Sequence, residues 1–167
     1  MDEILKINEF SNLKWKNASG LQCDLPHIIE VCKKFVRKGS KIFIGSDSFA
    51  TSERINFATV ICVYGCGISS KYFFTKDFTS RDSFRTLPTR ITEEVRRTVV
   101  LAEFLREDHN IDPKNIELHL DISPFQAKNG TSKYAEMLKG YVKGAGFECR
   151  IKPNAWASQT IADKHSK

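Results

Sequence analysis

The sequence has no long hydrophobic run. None of its apolar stretches approaches the roughly 20 residues that a helix needs to cross a bilayer. The opening residues, Met1-Asp2-Glu3-Ile4, also lack the basic region and the apolar core of a secretory signal. We therefore expect a protein that stays in the cytoplasm and does not associate with a membrane.

Paired cysteines are also absent. The chain has five cysteines, an odd number, and no two of them have C-x-x-C spacing. Cys62 and Cys66 are the only close pair, and no nearby histidine or second pair completes a zinc site. We expect reduced, buried thiols at all five positions: Cys23, Cys32, Cys62, Cys66 and Cys149.

The composition is that of an ordinary globular protein with an excess of basic residues. The 167 residues are 41% apolar and 28% charged, which predicts one domain over 1–167. Residues 1–39 would form an N-terminal extension and a helix, and residues 40–167 the core. The net charge of +6 favours a polyanionic partner, and nucleic acid is the leading candidate.

The hydrophobic pattern predicts a mixed α/β fold. Strands over 41–48, 55–64 and 71–75, joined by short turns, indicate an antiparallel meander. Pro88–Glu107 has the strongest helical spacing, and a helix of this length is a crossover that places the next strand, near residues 116–122, parallel to the first. The remaining expected elements are a helix capped by Asp24 and ended by Gly39, a turn over Phe49–Arg54, a polar connection over 76–88, a helix capped by Thr131 or Ser132, a strand over Phe147–Lys152 and a short helix over Ala155–His165.

Two acids stand where apolar strands end. Asp47 and Asp121 each follow an apolar run, and parallel neighbouring strands would place them side by side. An isolated aspartate in such a position is more often a turn former. Glu94 shares a helical stripe with residues seven and eleven positions later, so it is expected to face the sheet, while Glu93 is expected to point away; dipole compensation is the alternative for both. Asp163, in the last helix, would on its own be a solvated acid.

Converging carboxylates without a His or Cys set form an oxygen-rich site. Such a site suits Mg²⁺ or Mn²⁺ better than zinc. Two such ions can align a water molecule with a phosphodiester for in-line displacement. In a basic protein, this chemistry indicates a nuclease.

The order of strands and acids resembles the YkuK-type family of ribonuclease H-like proteins. The matching stretches are Phe43-Ile44-Gly45-Ser46-Asp47-Ser48, Arg90-Ile91-Thr92-Glu93-Glu94 with Glu103, His119-Leu120-Asp121-Ile122, and Lys152-Pro153 followed by Ala157-Ser158 and Ala162-Asp163. The resemblance implies a five-stranded mixed sheet in the order 3-2-1-4-5, with helices on both faces. It also implies that Asp47, Glu94, Asp121 and Asp163 are the catalytic residues and the ligands of two Mg²⁺ or Mn²⁺ ions.

The sequence departs from related patterns at two points. Ser46-Asp47-Ser48 replaces the Asp-Gly-Ser turn of type 1 enzymes, which puts hybrid-specific cleavage in doubt. The first strand also has no Asp-x-Glu, which argues against a proofreading exonuclease.

Five further residues are candidates for binding substrate: Ser48, Arg90, Ser123, Lys128 and His165. Turn formation is the alternative for the two serines, a solvated surface for the two cations, and a frayed terminal position for the histidine. We interpret His119 as a structural, hydrogen-bonded histidine and Trp156 as a packing residue, with base stacking the less frequent role.

The sequence leaves three functions open. The first is a metal-dependent nuclease acting on RNA, in an RNA/DNA hybrid or another nucleic acid. The second is a binding module that keeps the fold for nucleic acid or a protein partner, with weak or no catalysis. A strand-transfer or junction-resolving enzyme is less favoured, because the chain is small and has no additional DNA-binding domain. The pattern does not indicate an oligomeric state.

Overall fold

A computed structural model describes residues 10–123 and 132–167. Its strands are β1 (Trp15–Asn17), β2 (Gln22–Cys23), β3 (Lys41–Ala50), β4 (Arg54–Gly65), β5 (Ile68–Ser80), β6 (Ile116–His119) and β7 (Glu148–Arg150). Its helices are α1 (Leu25–Arg37), α2 (Leu87–Glu107), α3 (Ser132–Gly144), a π-helical segment (Ala157–Ala162) and α4 (Asp163–Ser166), with 3-10 turns at Arg81–Phe84 and Pro113–Asn115.

The seven strands form one mixed sheet in the order β2-β1-β5-β4-β3-β6-β7. β3, β4 and β5 are an antiparallel meander, and β6 pairs in parallel with β3 and with β7. This confirms the predicted meander, the crossover and the relative order of the five main strands. The predicted count of five strands is wrong, because β1 pairs with the outer edge of β5 and carries β2 with it.

The two additional strands are held by buried aromatic residues. Trp15 and Phe10 are each 1% exposed, and the Trp15 indole donates a hydrogen bond to the Phe10 carbonyl at 3.2 Å. Strands of two and three residues are too short to show a period in the sequence. β1 therefore covers the edge of β5, and it is held there by the burial of these two rings and not by strand propensity.

The meander is longer than its sequence pattern predicts. The expected turn over Phe49–Arg54 is present but shorter, because β3 continues to Ala50 and β4 begins at Arg54. The expected polar connection over 76–88 begins as strand, since β5 continues to Ser80. Along residues 76–80 of β5, exposed residues alternate with half-buried ones, as in a strand with one face toward solvent.

The two long helices begin with side-chain caps. Asp24 accepts a hydrogen bond from the His27 amide at 2.9 Å, which confirms the predicted start of α1. Helix α2 begins one residue before the predicted Pro88, because Thr86 and Thr89 form a reciprocal capping box. Among the described residues, no helix combines the length and the apolar character that crossing a membrane requires.

Helices cover both faces of the sheet, as predicted. Apolar residues of α1, α2 and α3 pack with Ile42, Ile44 and Ile61 on one face. The π-helical segment packs on the opposite face, against Phe43, Val60 and Cys62. All five cysteines are free, but the expectation that all are buried is wrong. Cys66 is exposed, Cys23 and Cys149 are half-buried, and only Cys32 and Cys62 are fully buried.

Gly45 marks the closest approach of the C-terminal segment to the sheet. A Cβ atom at this position would lie 2.7 Å from the Ser158 amide nitrogen and 3.0 Å from the Ala157 carbonyl carbon. Both are backbone atoms, so they cannot turn aside as a flexible side chain would. A residue without a side chain is therefore required for the segment to lie on β3.

We expect Gly45→Ala to lower the free energy of unfolding by about 1–3 kcal/mol through overpacking. Urea denaturation measures the change. Gly140→Ala is the matched control, because Gly140 is exposed in α3 with no atom within 4 Å of an added Cβ. That control should raise stability by about 0.5–1 kcal/mol. Equal midpoints for Gly45→Ala and the wild type would contradict the close packing of the C-terminal segment.

Candidate active site

Asp47 lies near the end of β3, the strand between β4 and β6, on the face covered by α4. It is only 6% exposed. The Ser166 hydroxyl, from α4, donates a hydrogen bond to Asp47 Oδ2 at 2.9 Å. A carboxylate is thus held in a largely dehydrated position by a group 119 residues away in sequence.

Glu94 approaches β3 from the opposite face of the sheet. It is 6% exposed, and the Ser48 hydroxyl donates to its Oε1 at 2.5 Å. Because neighbouring residues of a strand point to opposite faces, Asp47 and Ser48 link the C-terminal segment and α2 to one point of β3.

The helical stripe predicted that Glu93 points away from the protein, and this prediction is wrong. Glu93 is 9% exposed and accepts hydrogen bonds from Arg96 and Arg97. Arg97 also pairs with Asp77 of β5 and lies over the Phe57 ring at 4.0 Å. Glu93 is therefore part of a buried ion-pair network that fastens α2 to the meander.

The other two predicted acids are more accessible. Asp121 follows β6, and its Oδ1 is buried without accepting a hydrogen bond from the described residues. Lys152 Nζ lies 2.7 Å from that oxygen as an ion pair, outside hydrogen-bonding alignment. Asp163 opens α4 and pairs with Lys167 at 3.0 Å.

Burial and mutual repulsion raise the pKa values of the two buried acids of the cluster, Asp47 and Glu94. Burial raises the pKa of Asp47 to about 7; the Asp121 and Asp163 carboxylates add to this, while the Ser166 hydrogen bond opposes it. Burial likewise raises the pKa of Glu94 well above its usual value, reinforced by Asp47 and Asp121 and opposed by Ser48 and Arg90. All four acids are thus coupled through Asp47.

Three partners of the acids were not assigned roles from the sequence: Ser166, Lys152 and Lys167. Ser166 and Lys167 stand three and four positions after Asp163, a helical spacing that was available as a signal. Lys152 belongs to a stretch that supports the family resemblance, but nothing local indicated its contact with Asp121.

The candidate substrate-binding residues are not all brought together. Ser48 contacts Glu94, and Arg90 is close enough to lower the pKa of that acid. His165 instead stacks on Phe74, with ring centroids 3.7 Å apart, and its Nε2 lies 3.2 Å from the Tyr72 hydroxyl. Ser123 is half-buried just beyond Asp121, and Lys128 lies outside the described residues, as does Thr131, one of the two predicted caps of α3.

His119 connects the sheet to the C-terminal segment. It is fully buried; its Nδ1 accepts a hydrogen bond from the Ala157 amide at 3.0 Å, and its Nε2 lies 3.0 Å from Glu117 Oε1. Since Nδ1 is the acceptor, Nε2 carries the proton and donates to Glu117. Burial lowers the pKa of His119, which agrees with a neutral, structural histidine. Trp156 packs against it and Phe43, as predicted.

The donor chemistry of the acid cluster fits a hard divalent cation. It offers only oxygen ligands, among them a buried Asp121 Oδ1 that accepts no hydrogen bond from the described residues, and two buried acids whose pKa values are raised. However, over residues 10–123 and 132–167, no three His, Cys, Asp or Glu side chains converge closely enough to hold a metal ion. The acids are neighbours whose carboxylates do not share one coordination point.

Comparison with known proteins identifies one family. The family model described as "Ribonuclease H-like" matches residues 25–167, which include α1, the five main strands and all four acids. No curated protein matches the chain.

We expect the stability of the metal-free protein to fall as the pH rises from about 4 to about 7. The folded state keeps a proton on Asp47 up to a pH near 7, whereas the unfolded chain loses it near the ordinary pKa of 3.8, so ionisation favours unfolding over this interval. Asp47→Asn should flatten this decline and raise the free energy of unfolding at pH 8 by up to about 4 kcal/mol. Urea denaturation in EDTA across this pH range measures both effects.

Glu136→Gln is the control, because it removes an acid from the surface and leaves the buried carboxylates of the cluster unchanged. Glu136 is on the surface of α3, and its side chain is 87% exposed. Its pH profile should follow that of the wild type. If the free energy of unfolding of Asp47→Asn falls with pH as steeply as that of the wild type, ionisation of Asp47 does not cause the decline.

Proposed function

This chain belongs to the ribonuclease H-like family, in the YkuK-type group, and on that premise we propose that it is a divalent-metal-dependent nuclease acting on RNA. The target would be RNA in an RNA/DNA hybrid or another nucleic acid. The observation that carries the proposal is the burial of Asp47 and Glu94 beside Asp121, with the pKa values of the two buried acids raised. Such an arrangement costs stability and is typical of functional sites.

The four acids would share the metal-binding role. Asp47, Glu94, Asp121 and Asp163 would hold two Mg²⁺ or Mn²⁺ ions, with Asp47 as the central acid of the cluster. The chemistry supplied by such ions is activation of a water molecule and stabilisation of charge on the phosphate and on the leaving oxygen.

The surrounding residues would orient the acids. Ser48 donates to one oxygen of Glu94, and Ser166 donates to one oxygen of Asp47, so each serine holds its carboxylate in one orientation. Lys152 offsets the charge of Asp121 and could exchange that contact for a phosphate oxygen. Arg90, Ser123, Lys128 and His165 remain proposed substrate contacts, and we expect the activity to be cytoplasmic.

The alternative is a nucleic-acid-binding module with weak or no catalysis. It is favoured by the lack of a converged metal-ligand group in the described part of the chain and by the protein partner that each acid already has. Binding that weakens steeply with salt, without metal-dependent cleavage, would select this alternative.

Cleavage of end-labelled strands tests the nuclease directly. We expect the wild type to cut one or more of single-stranded RNA, RNA duplex, RNA/DNA hybrid and DNA in Mg²⁺ or Mn²⁺, and none in EDTA. Asp47→Asn should lower the rate by at least about 100-fold, because it removes a charged metal ligand from the centre of the cluster, and even changes outside the ligand set cost about 10- to 100-fold.

Glu136→Gln should cut at the wild-type rate, since this exposed acid is remote from the cluster. Cleavage that survives in Asp47→Asn would point to a contaminating nuclease and would overturn the assignment of Asp47. A folded wild type that binds the strands but cuts none of them with either metal would support the binding module.

A further inference from the structure

A row of three side chains crosses the sheet immediately beyond Asp47. In the strand register, Phe49 of β3 is opposite Asn56 of β4, and Asn56 is opposite Phe78 of β5. The preceding row on the same face is Asp47, Ala58 and Lys76. Directly opposed residues lie on one face of a sheet, so the row Phe49–Asn56–Phe78 flanks the acid cluster on the face that carries Asp47.

The two aromatic rings of this row are unusually accessible. Phe78 is 66% exposed and Phe49 is 41% exposed, whereas Phe57, the strand neighbour of Asn56, is fully buried. Strand spacing separates the backbones of Phe49 and Phe78 by about 10 Å. The face beside the acids therefore presents two aromatic surfaces on either side of a polar residue.

The polar residue between the rings has an unmet hydrogen-bonding capacity. Asn56 is only 5% exposed, and its Oδ1 accepts no hydrogen bond from the described residues. A buried amide oxygen without a donor costs stability unless a ligand supplies that donor. The exocyclic amino groups of adenine and cytosine are donors of this kind.

Positive charge lies beside the same row. The Arg54 guanidinium lies over the Phe78 ring, 4.7 Å from its centroid, and Lys76 is in the neighbouring row. Exposed aromatic rings with adjacent cations match the bases and phosphates of a nucleic-acid strand, in a chain whose net charge is +6.

We propose that Phe49, Asn56 and Phe78, together with Arg54, form a binding site for an unpaired nucleobase adjacent to the acid cluster. The inference rests on the proposed function and refines its substrate. In a duplex, each base is covered by its neighbours, so only a single-stranded region offers a free face for stacking. The substrate class is then single-stranded RNA or DNA, or an unpaired end or loop, in preference to a continuous duplex.

Binding without cleavage tests this site separately from catalysis. Fluorescence anisotropy in EDTA, on the Asp47→Asn background, would follow an end-labelled single strand of about 12 nucleotides, a length within the usual range of site sizes. Phe78→Ala should weaken binding by about 5- to 100-fold, the range for loss of one stacked base. Phe78→Trp should retain the affinity, because it keeps an aromatic face.

Two controls separate base stacking from general effects. Leu21→Ala removes an apolar side chain that is also 66% exposed, at the far edge of the sheet, and should leave the affinity unchanged. On an abasic strand of equal length, Phe78→Ala should have no effect, since that strand offers phosphates without bases. Unchanged urea midpoints would verify that each variant is folded.

The outcomes separate the two proposals. An equal loss on intact and abasic strands, or no loss in Phe78→Ala, overturns the base-binding site even if the wild type cuts nucleic acid. The latter result would leave the exposed rings as a contact for a protein. A loss confined to the intact strand supports the site even if the wild type cuts no strand, in which case only the nuclease fails.

Discussion

Electrostatic repulsion among buried carboxylates is the constraint on which the architecture around β3 depends. Asp47 and Glu94 are both 6% exposed, and burial raises the pKa of each. Like charge adds to this effect, from Asp121 and Asp163 at Asp47 and from Asp47 and Asp121 at Glu94. Two serine hydroxyls and two lysines offset part of this repulsion. The repulsion that is not offset lowers the stability of the folded state, and the rest of the fold must compensate for it. It also identifies the part of the molecule where a cation would bind most favourably.

The C-terminal segment brings its acid to this cluster through three distinct attachments. Gly45 lets the backbone at Ser158 approach β3, His119 accepts a hydrogen bond from the Ala157 amide, and Ser166 bonds to Asp47. The first depends on the absence of a side chain, the second on a neutral histidine and the third on a hydroxyl. Together they determine where Asp163 lies relative to the sheet, although the segment itself is short.

The sequence predicted the arrangement of the main elements well, because it depends on periodic burial. The meander and the crossover follow from hydrophobic spacing and chain connectivity, and the order of the five main strands was implied by the family resemblance. The residues around Phe10 and Trp15 were interpreted as a short extended piece packed on the domain, but β1 and β2 are too short to show a period and were not predicted as strands of the sheet. Residues 76–80 were interpreted as part of a polar connection and not as strand. The position of the exposed Phe78 on the sheet was therefore not predicted.

The sequence singled out the four acids of the candidate site but not their partners. An acid at the end of an apolar strand is visible locally, whereas the Asp47–Ser166 contact joins residues 119 positions apart. The orientation of Glu93 was predicted wrongly because helical spacing describes only one face of α2. The contacts of Glu93 with its arginine partners, and of Arg97 with Asp77, depend on how β5 packs against α2. The same long separation has a consequence for biosynthesis. A nascent chain that has emerged only as far as β7 can pair its main strands but lacks Asp163 and Ser166, so the acid cluster is completed only after synthesis has passed these two residues.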